Sequence, residues 1–206
     1  MAISPTDDAE SAERSFVLLA SDEVAEAGAL AEAIGQALDA APRAAVLVRN
    51  WQPGSAVFDA LHPICRKAGV ACLAEPAKDA PLTQRLDGAL LSADPHELQQ
   101  ARRLLGADAI LGARCGLSRH DAMIAGEAGA DFIAFEGSAS DPALLAVLAW
   151  WSDLFVLPTL ALVAEPDDVA ARLLAKNGAD FLAVPAALWS GAGGAENLAR
   201  LADAFV

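Results

Sequence analysis

Gly129-Ala130-Asp131-Phe132-Ile133-Ala134-Phe135 sets a glycine, a small residue and an aspartate directly ahead of a short apolar run. The triplet returns as Gly106-Ala107-Asp108 before Ala109-Ile110-Leu111-Gly112, and as Gly178-Ala179-Asp180 before Phe181-Leu182-Ala183-Val184. Asp87 and Asp153 stand in the same way before Gly88-Ala89-Leu90-Leu91 and Leu154-Phe155-Val156-Leu157. The five aspartates follow one another at gaps of 21, 23, 22 and 27 residues. A glycine just past a helix is the usual left-handed cap, after which an aspartate can turn the chain into a strand. A period of about two dozen residues holds one helix, one short strand and two tight loops, which is one strand–helix repeat.

Outward from this repeat, strands are expected over 15–20, 44–49, 70–74, 88–91, 109–113, 132–135, 154–161 and 181–184. Helical patterns separate them over 22–38, 55–68, 95–105, 118–128, 142–151 and 166–176, and another closes the chain over 196–205. Ser21 is a natural cap for the first helix. Pro95, Pro142 and Pro166 each follow an acidic residue and suit a helix's first turn. The segment 75–85 makes the weakest helix, because Pro76 and Pro81 interrupt it. Strict alternation with short connections implies a parallel sheet. Eight units in 206 residues fit a single-domain (β/α)8 TIM barrel over 14–206, after a loose polar arm over 1–13. An open doubly wound sheet would want a glycine-rich turn after the first strand, where Ala20-Ser21-Asp22 stands instead. A leucine-rich solenoid shares the period but not the leucine spacing.

Composition narrows the function. Apolar residues make up 55% and charged residues 20%, which suits strands buried on both faces. A formal net charge of −14 repels nucleic acid and anionic membranes, so neither is an expected partner. Any anion site must rest on a few local cations, helix N-termini or a metal. The odd number of cysteines, the missing metal-ligand spacing, and the lack of a secretion signal or a membrane-spanning run together point to a cytoplasmic protein with reduced thiols.

Gly129 to Phe135, the stretch 70–98, and Leu157-Pro158 with the strand after it resemble the thiamine-phosphate synthase family and its thiazole-tautomerase relatives, over most of the chain from about residue 44. The resemblance implies a (β/α)8 barrel that joins a pyrimidine methyl diphosphate to a thiazole phosphate in thiamine biosynthesis. It further implies Mg2+ as cofactor and a small phosphorylated partner. Where that family carries a Gln-Leu-Arg-Glu-Lys motif that grips diphosphate, this chain has Leu47-Val48-Arg49-Asn50-Trp51, which keeps Arg49 and replaces the lysine with Trp51. Glu75-Pro76 stand for Asn-Asp, and Ser92-Ala93-Asp94-Pro95 for Gly-Gln-Glu-Asp, so that Glu75 and Asp94 become the metal candidates. Glu136-Gly137-Ser138-Ala139-Ser140 replaces a Gly-Pro-Val-Phe-x-Thr loop, and places Glu136 and Ser138 at the site. Val163-Ala164 replaces a phosphate-cradling Gly-Gly, and Ala186 a serine. The implied scaffold is kept and the implied synthase site is largely replaced, so activity in that reaction is in question. The competing readings are a non-catalytic ligand- or partner-binding barrel and an enzyme diverged to another small substrate.

Several constellations carry two readings each. Arg114-Cys115-Gly116 with Arg119-His120 would form an anion grip at the functional end of a barrel. For Arg119 and His120 the solvated first turn of a helix capped by Ser118 is the better reading, whereas for Arg114 the two stand level. Glu75, Asp94, Glu136 and Glu165 follow four strands and could hold a divalent cation; helix-start chemistry accounts equally for Asp94 and Glu165. Ser190 and Gly191, in a glycine-rich stretch before the last helix, lie where barrels often hold phosphate, although no cation accompanies them. Cys115 suits a structural thiol better than a nucleophile. Of Trp150 and Trp151, one is expected to pack on the barrel and the other to help bury a contact with a second copy of the chain. Finally, Arg49 and Arg114 should pair with Glu75 and Glu136 across the mouth beneath Trp51, filling the volume a substrate needs. Loss of Glu136 would then destabilise the fold.

Overall fold

The computed structural model describes residues 14–21, 27–41 and 44–206; the arm expected over 1–13 lies outside them. Eight parallel strands close into a barrel in sequence order: β1 (Ser15–Ser21), β2 (Ala45–Trp51), β3 (Cys72–Pro76), β4 (Gly88–Ser92), β5 (Ile110–Gly116), β6 (Phe132–Glu136), β7 (Thr159–Leu162) and β8 (Phe181–Pro185). The helices outside it are α1 (Ala27–Ala40), α2 (Ala56–Ala68), α3 (Pro95–Leu105), α4 (Arg119–Glu127), α5 (Pro142–Leu154), α6 (Asp168–Lys176), α7 (Ala186–Trp189) and α8 (Gly194–Ala204). This is the expected (β/α)8 TIM barrel. Among the described residues no helix is long and apolar enough to cross a membrane.

The period of two along each strand divides the apolar residues into two cores. Val17, Leu19, Leu47, Leu73, Leu90, Phe132, Ala134, Leu160, Leu162 and Ala183 fill the barrel. Their neighbours in sequence, such as Leu18, Val46, Val48, Ala74 and Ile133, face the helices. Gly112 shows how tightly the interior is filled: a Cβ there would lie 2.1 Å from the Phe132 ring. No side chain larger than hydrogen fits beside that ring.

The repeated aspartates have a structural role at the N-terminal end of the barrel. Asp87, before β4, accepts the backbone N–H of Cys72 at 3.0 Å, and Asp131, before β6, that of Leu111 at 2.7 Å. Asp180, before β8, accepts that of Thr159 at 2.7 Å. Each ties the start of its own strand to the start of the preceding one. Asp108 sits at the same rim, in the exposed turn before β5.

Three expectations need correction, and a fourth falls outside the described residues. Asp153 lies inside α5, and the strand expected over 154–161 is β7 alone, from Thr159. The apolar residues there pack on tryptophans: Phe155 stacks on Trp151 at 4.1 Å, and the Trp151 indole N–H bonds the Leu157 carbonyl at 2.8 Å. No helix forms over 75–85, because two prolines remove donors and the chain crosses to β4 as a loop. Pro166 falls outside α6, whose cap is Asp167. Ser21 ends β1, and the helix start it was to cap, over 22–26, lies outside the described residues.

Candidate functional site

Both mouth arginines stand just before a bulge. Between β2 and β3 the register runs Val48 with Ala74, then Trp51 with Pro76, so β2 carries one extra residue. Asn50 takes up the irregularity at φ 53°. Between β5 and β6 it runs Arg114 with Ala134, then Gly116 with Phe135, with Gly116 at φ 55°. Bulges near strand ends stop the pairing and re-aim side chains. Here Arg49 and Arg114 continue the inward rows of Leu47 and Gly112 into the mouth, while Trp51, after the first bulge, changes face. Trp51 is therefore buried between barrel and helices, with its ring against Phe58 at 6.1 Å. It does not overhang the arginines, contrary to what strict alternation implies.

Inward rows on β3 and β6 bring Glu75 and Glu136 to the same level. Arg49 Nε donates to Glu75 Oε2 at 2.7 Å, and Arg114 Nη2 donates to Glu75 Oε1. Arg114 Nε lies 3.8 Å from Glu136 Oε2. The Glu75 side chain is only 16% exposed, against 40% for Arg49, 31% for Arg114 and 46% for Glu136. Pairing across the mouth therefore occurs, with Glu75 as the shared acceptor and Glu136 as a loose outer partner. Burial pulls the Arg114 guanidinium below its ordinary value, Glu136 pushes it back up, and the nearby Arg49 charge adds to the lowering.

The network does not fill the opening. A cavity of about 700 Å³ lies over it, lined by Arg49, Asn50, Glu75 and Lys78 on one side and, next to Leu162 on the other, by Glu136. Leu19, Leu162, Val163, Ala164, Pro185 and Ala186 line the other. Its size is that of a small-molecule site. The expectation of a plugged mouth is corrected: the pairs form, yet Arg49, Glu75 and Glu136 line an open cavity. A second cavity of about 570 Å³ lies between the loops after β6 and β7.

Other candidates fall elsewhere. Asp94 caps α3, accepting the N–H groups of His96 at 2.7 Å and Glu97 at 3.2 Å. Ser138 faces the second cavity and bonds Ser140 at 3.1 Å; Glu165 lines the same cavity. Ser190 and Gly191, between α7 and α8, line neither cavity. Cys115 is buried behind the mouth, where desolvation pushes its thiol up to about 12, unsuited to a nucleophile at neutral pH. Ser118 caps α4 by accepting the Asp121 N–H at 3.2 Å; His120 is exposed, and Arg119 covers the Trp150 ring at 4.6 Å. Trp151 is the tryptophan that packs on the barrel. Lys78 was missed. It is an exposed residue of the 75–85 segment, and reading that segment as a helix hid its place over the mouth; a lysine two residues past a Glu-Pro strand end was the available signal.

The sequence model of the family described as Thiamine monophosphate synthase matches residues 17–188. A thiamine-phosphate synthase of Rhodospirillum centenum is 35% identical over 173 residues, covering 79% of this chain and 83% of that protein. The chain belongs to the thiamine monophosphate synthase family. A thiamine-phosphate synthase of Erythrobacter litoralis is 38% identical over 141 residues, 64% of this chain and 65% of that protein. Among solved structures, thiamine phosphate pyrophosphorylase from Pyrococcus furiosus has a TM-score of 0.71 at 19% identity, covering 94% of this chain and 96% of the other. At that identity the likeness speaks for the fold. Within the family framework, the ends of β2, β3, β5 and β6 carry all four residues of the charged network, and those of β7 and β8 carry none.

Proposed function

We propose that this chain is a thiamine-phosphate-synthase-type barrel that keeps an anion-binding mouth but joins the pyrimidine and thiazole precursors slowly or not at all. The observation that carries this reading is the position of Glu75, whose two carboxylate oxygens are taken by the two arginines that would otherwise face a diphosphate. A substrate phosphate has to compete with a carboxylate already in place, at close range and partly out of water. Where phosphate needs close backbone approach after β7, Val163 and Ala164 bring side chains. The residues present do not fit a magnesium ion: Glu75 is neutralised by guanidinium groups that repel a cation, and Asp94 is engaged at a helix start. Among the described residues no group of three or more His, Cys, Asp or Glu side chains gathers as metal ligands.

The apolar wall at β7 and β8 favours a second reading, a barrel that binds another small anion without turning it over. The purified protein with both precursors and magnesium separates the two from an active synthase. Little or no thiamine phosphate is expected, and the double variant Val163→Gly, Ala164→Gly should not restore it. Turnover of about 1 per second or more, an ordinary enzyme rate, would overturn the proposal.

A further inference from the structure

The turn from α2 into β3 brings two thiols together. Gly69, at φ 73°, caps the helix; its N–H bonds the Arg66 carbonyl at 3.3 Å, and the Val70 N–H bonds the Cys65 carbonyl at 3.0 Å. This left-handed cap reverses the chain within a few residues, so that Cys72, first in β3, packs against Cys65 between barrel and helices. Both side chains are fully buried and are hydrogen-bonded to each other, sulfur to sulfur. Asp87 and His62 complete the cluster. One Asp87 oxygen accepts the Cys72 N–H at 3.0 Å, and the other lies 3.3 Å from His62 Nε2. His62 stands one turn before Cys65 on α2 and is 20% exposed, so the cluster reaches solvent there. The bond from Cys72 pulls the Cys65 thiol below its ordinary value, against desolvation and the Asp87 charge; the same bond, with burial, pushes the Cys72 thiol up. Cys115, the third thiol, bonds only the Ala113 carbonyl at 3.6 Å.

We propose that Cys65 and Cys72 are a modification site, closing a reversible intrachain disulfide when the protein meets hydrogen peroxide or another small uncharged hydroperoxide. Cys65 attacks one peroxide oxygen as thiolate. The O–O bond breaks, the departing hydroxide takes up the Cys65 proton as water, and Cys65 is left as a sulfenic acid. The Cys72 sulfur then displaces the hydroxyl: the S–S bond forms, the S–O bond breaks, and the Cys72 proton leaves with the hydroxide as a second water. Two thiols lose two electrons and one peroxide gains them. Size and charge select the oxidant. A neutral molecule little larger than water can enter where the end of α2 opens locally. Oxidised glutathione is large and anionic; the buried sulfurs are out of its reach, and a net charge of −14 repels it. The bond pins the end of α2 to the start of β3, at the opposite end of the barrel from the mouth, and it stands whatever the mouth binds.

The test is a thiol count and a peptide map of the whole native protein after hydrogen peroxide, with and without later dithiothreitol. Of the three thiols, two should be lost and then regained on reduction. Trypsin cuts after Arg66 and Lys67, between the two cysteines, so the oxidised protein should yield peptide 50–66 joined to peptide 68–78. Oxidised glutathione should change nothing. Cys115→Ala should oxidise at the parent's rate. Cys72→Ala should stop at a Cys65 sulfenic acid that dimedone traps; where that variant fails to fold, the parent's peptide map decides. Survival of all three thiols, Cys115 joined to either partner, a link between two molecules, thiols that dithiothreitol does not restore, or a mixed disulfide with glutathione would each overturn the proposal.

Discussion

The two ends of this barrel use the same charged groups in opposite ways. At the N-terminal end, carboxylates and guanidinium groups bind the main chain. Asp87, Asp131 and Asp180 accept strand N–H groups, while Arg14 reaches the carbonyls of Ala175 and Ala179. Arg102 reaches the carbonyls of Ala107, Ala109 and Gly129 and also the Asp131 carboxylate at 2.7 Å. At the C-terminal end, Glu75 and Glu136 meet side chains, those of Arg49 and Arg114. A bond to backbone is fixed by the fold and is lost only when the strand moves. A bond between two side chains at a cavity wall can be exchanged for a bond to a ligand. The bottom rim is thus built for stability and the top rim for exchange, the division expected of this architecture.

Variants at the two ends put that division under test. The largest effect is expected from Asp180→Ala. Thr159, fully buried, would lose the acceptor of its backbone N–H, and its hydroxyl, 3.1 Å from both Asp180 and the Gly178 carbonyl, would keep the carbonyl as its one acceptor beside the N–H of residue 180. The fold should lose about 2–4 kcal/mol in urea denaturation, since a buried donor left unmade costs its full desolvation. Glu75→Ala comes next, at about 1–3 kcal/mol, because two partly buried guanidinium groups lose their shared acceptor. Unlike the bottom variant, it should bind phosphate more tightly than the parent, measured by calorimetry. A Glu75→Ala protein that is destabilised and also binds phosphate more weakly would break the comparison. The smallest effect belongs to Glu136→Ala. Its carboxylate is 46% exposed with one contact at 3.8 Å, so a change of about 0.5 kcal/mol or less is expected, typical of surface pairs. The structure thus moves to Glu75 the stabilising role that the sequence suggested for Glu136.

The Cys115 thiol offers a check on how dry the outer layer is beside the mouth. Its folded value is raised above the ordinary 9 to about 12, so the unfolded chain releases this proton first as pH rises. The stability it contributes is complete below pH 9 and falls between about 9 and 12, with no effect in the acid range. Cys115→Ala should flatten that alkaline decline in denaturation curves; an unchanged decline would mean the thiol is not held neutral by burial.

Period and parity carried much of the reading. The Gly-Ala-Asp spacing marked strand starts at Phe132 and Phe181, because a left-handed glycine followed by a strand is a local event written in a few residues. The expected meeting of Arg49, Arg114, Glu75 and Glu136 followed from their common place at strand ends, since a closed barrel brings every strand end to one rim. The Asp153 reading failed because an apolar run cannot say whether it faces a strand's neighbours or a tryptophan pair. Lys78 stayed hidden because a loop's path depends on what it crosses.

By itself the sequence determined the strand–helix alternation, the family, and the meeting of Arg49, Arg114, Glu75 and Glu136 at the mouth, all of which depend on spacing along one chain. Only the tertiary structure decided how those charges share partners. The bulge at Asn50 turns Trp51 outward, and both bulges leave Arg49 and Arg114 at the mouth. Glu75 rather than Glu136 became the common acceptor because it lies deeper, and the pairs left a cavity at the mouth. Such choices turn on ångström differences between strands far apart in the chain, which no local pattern encodes.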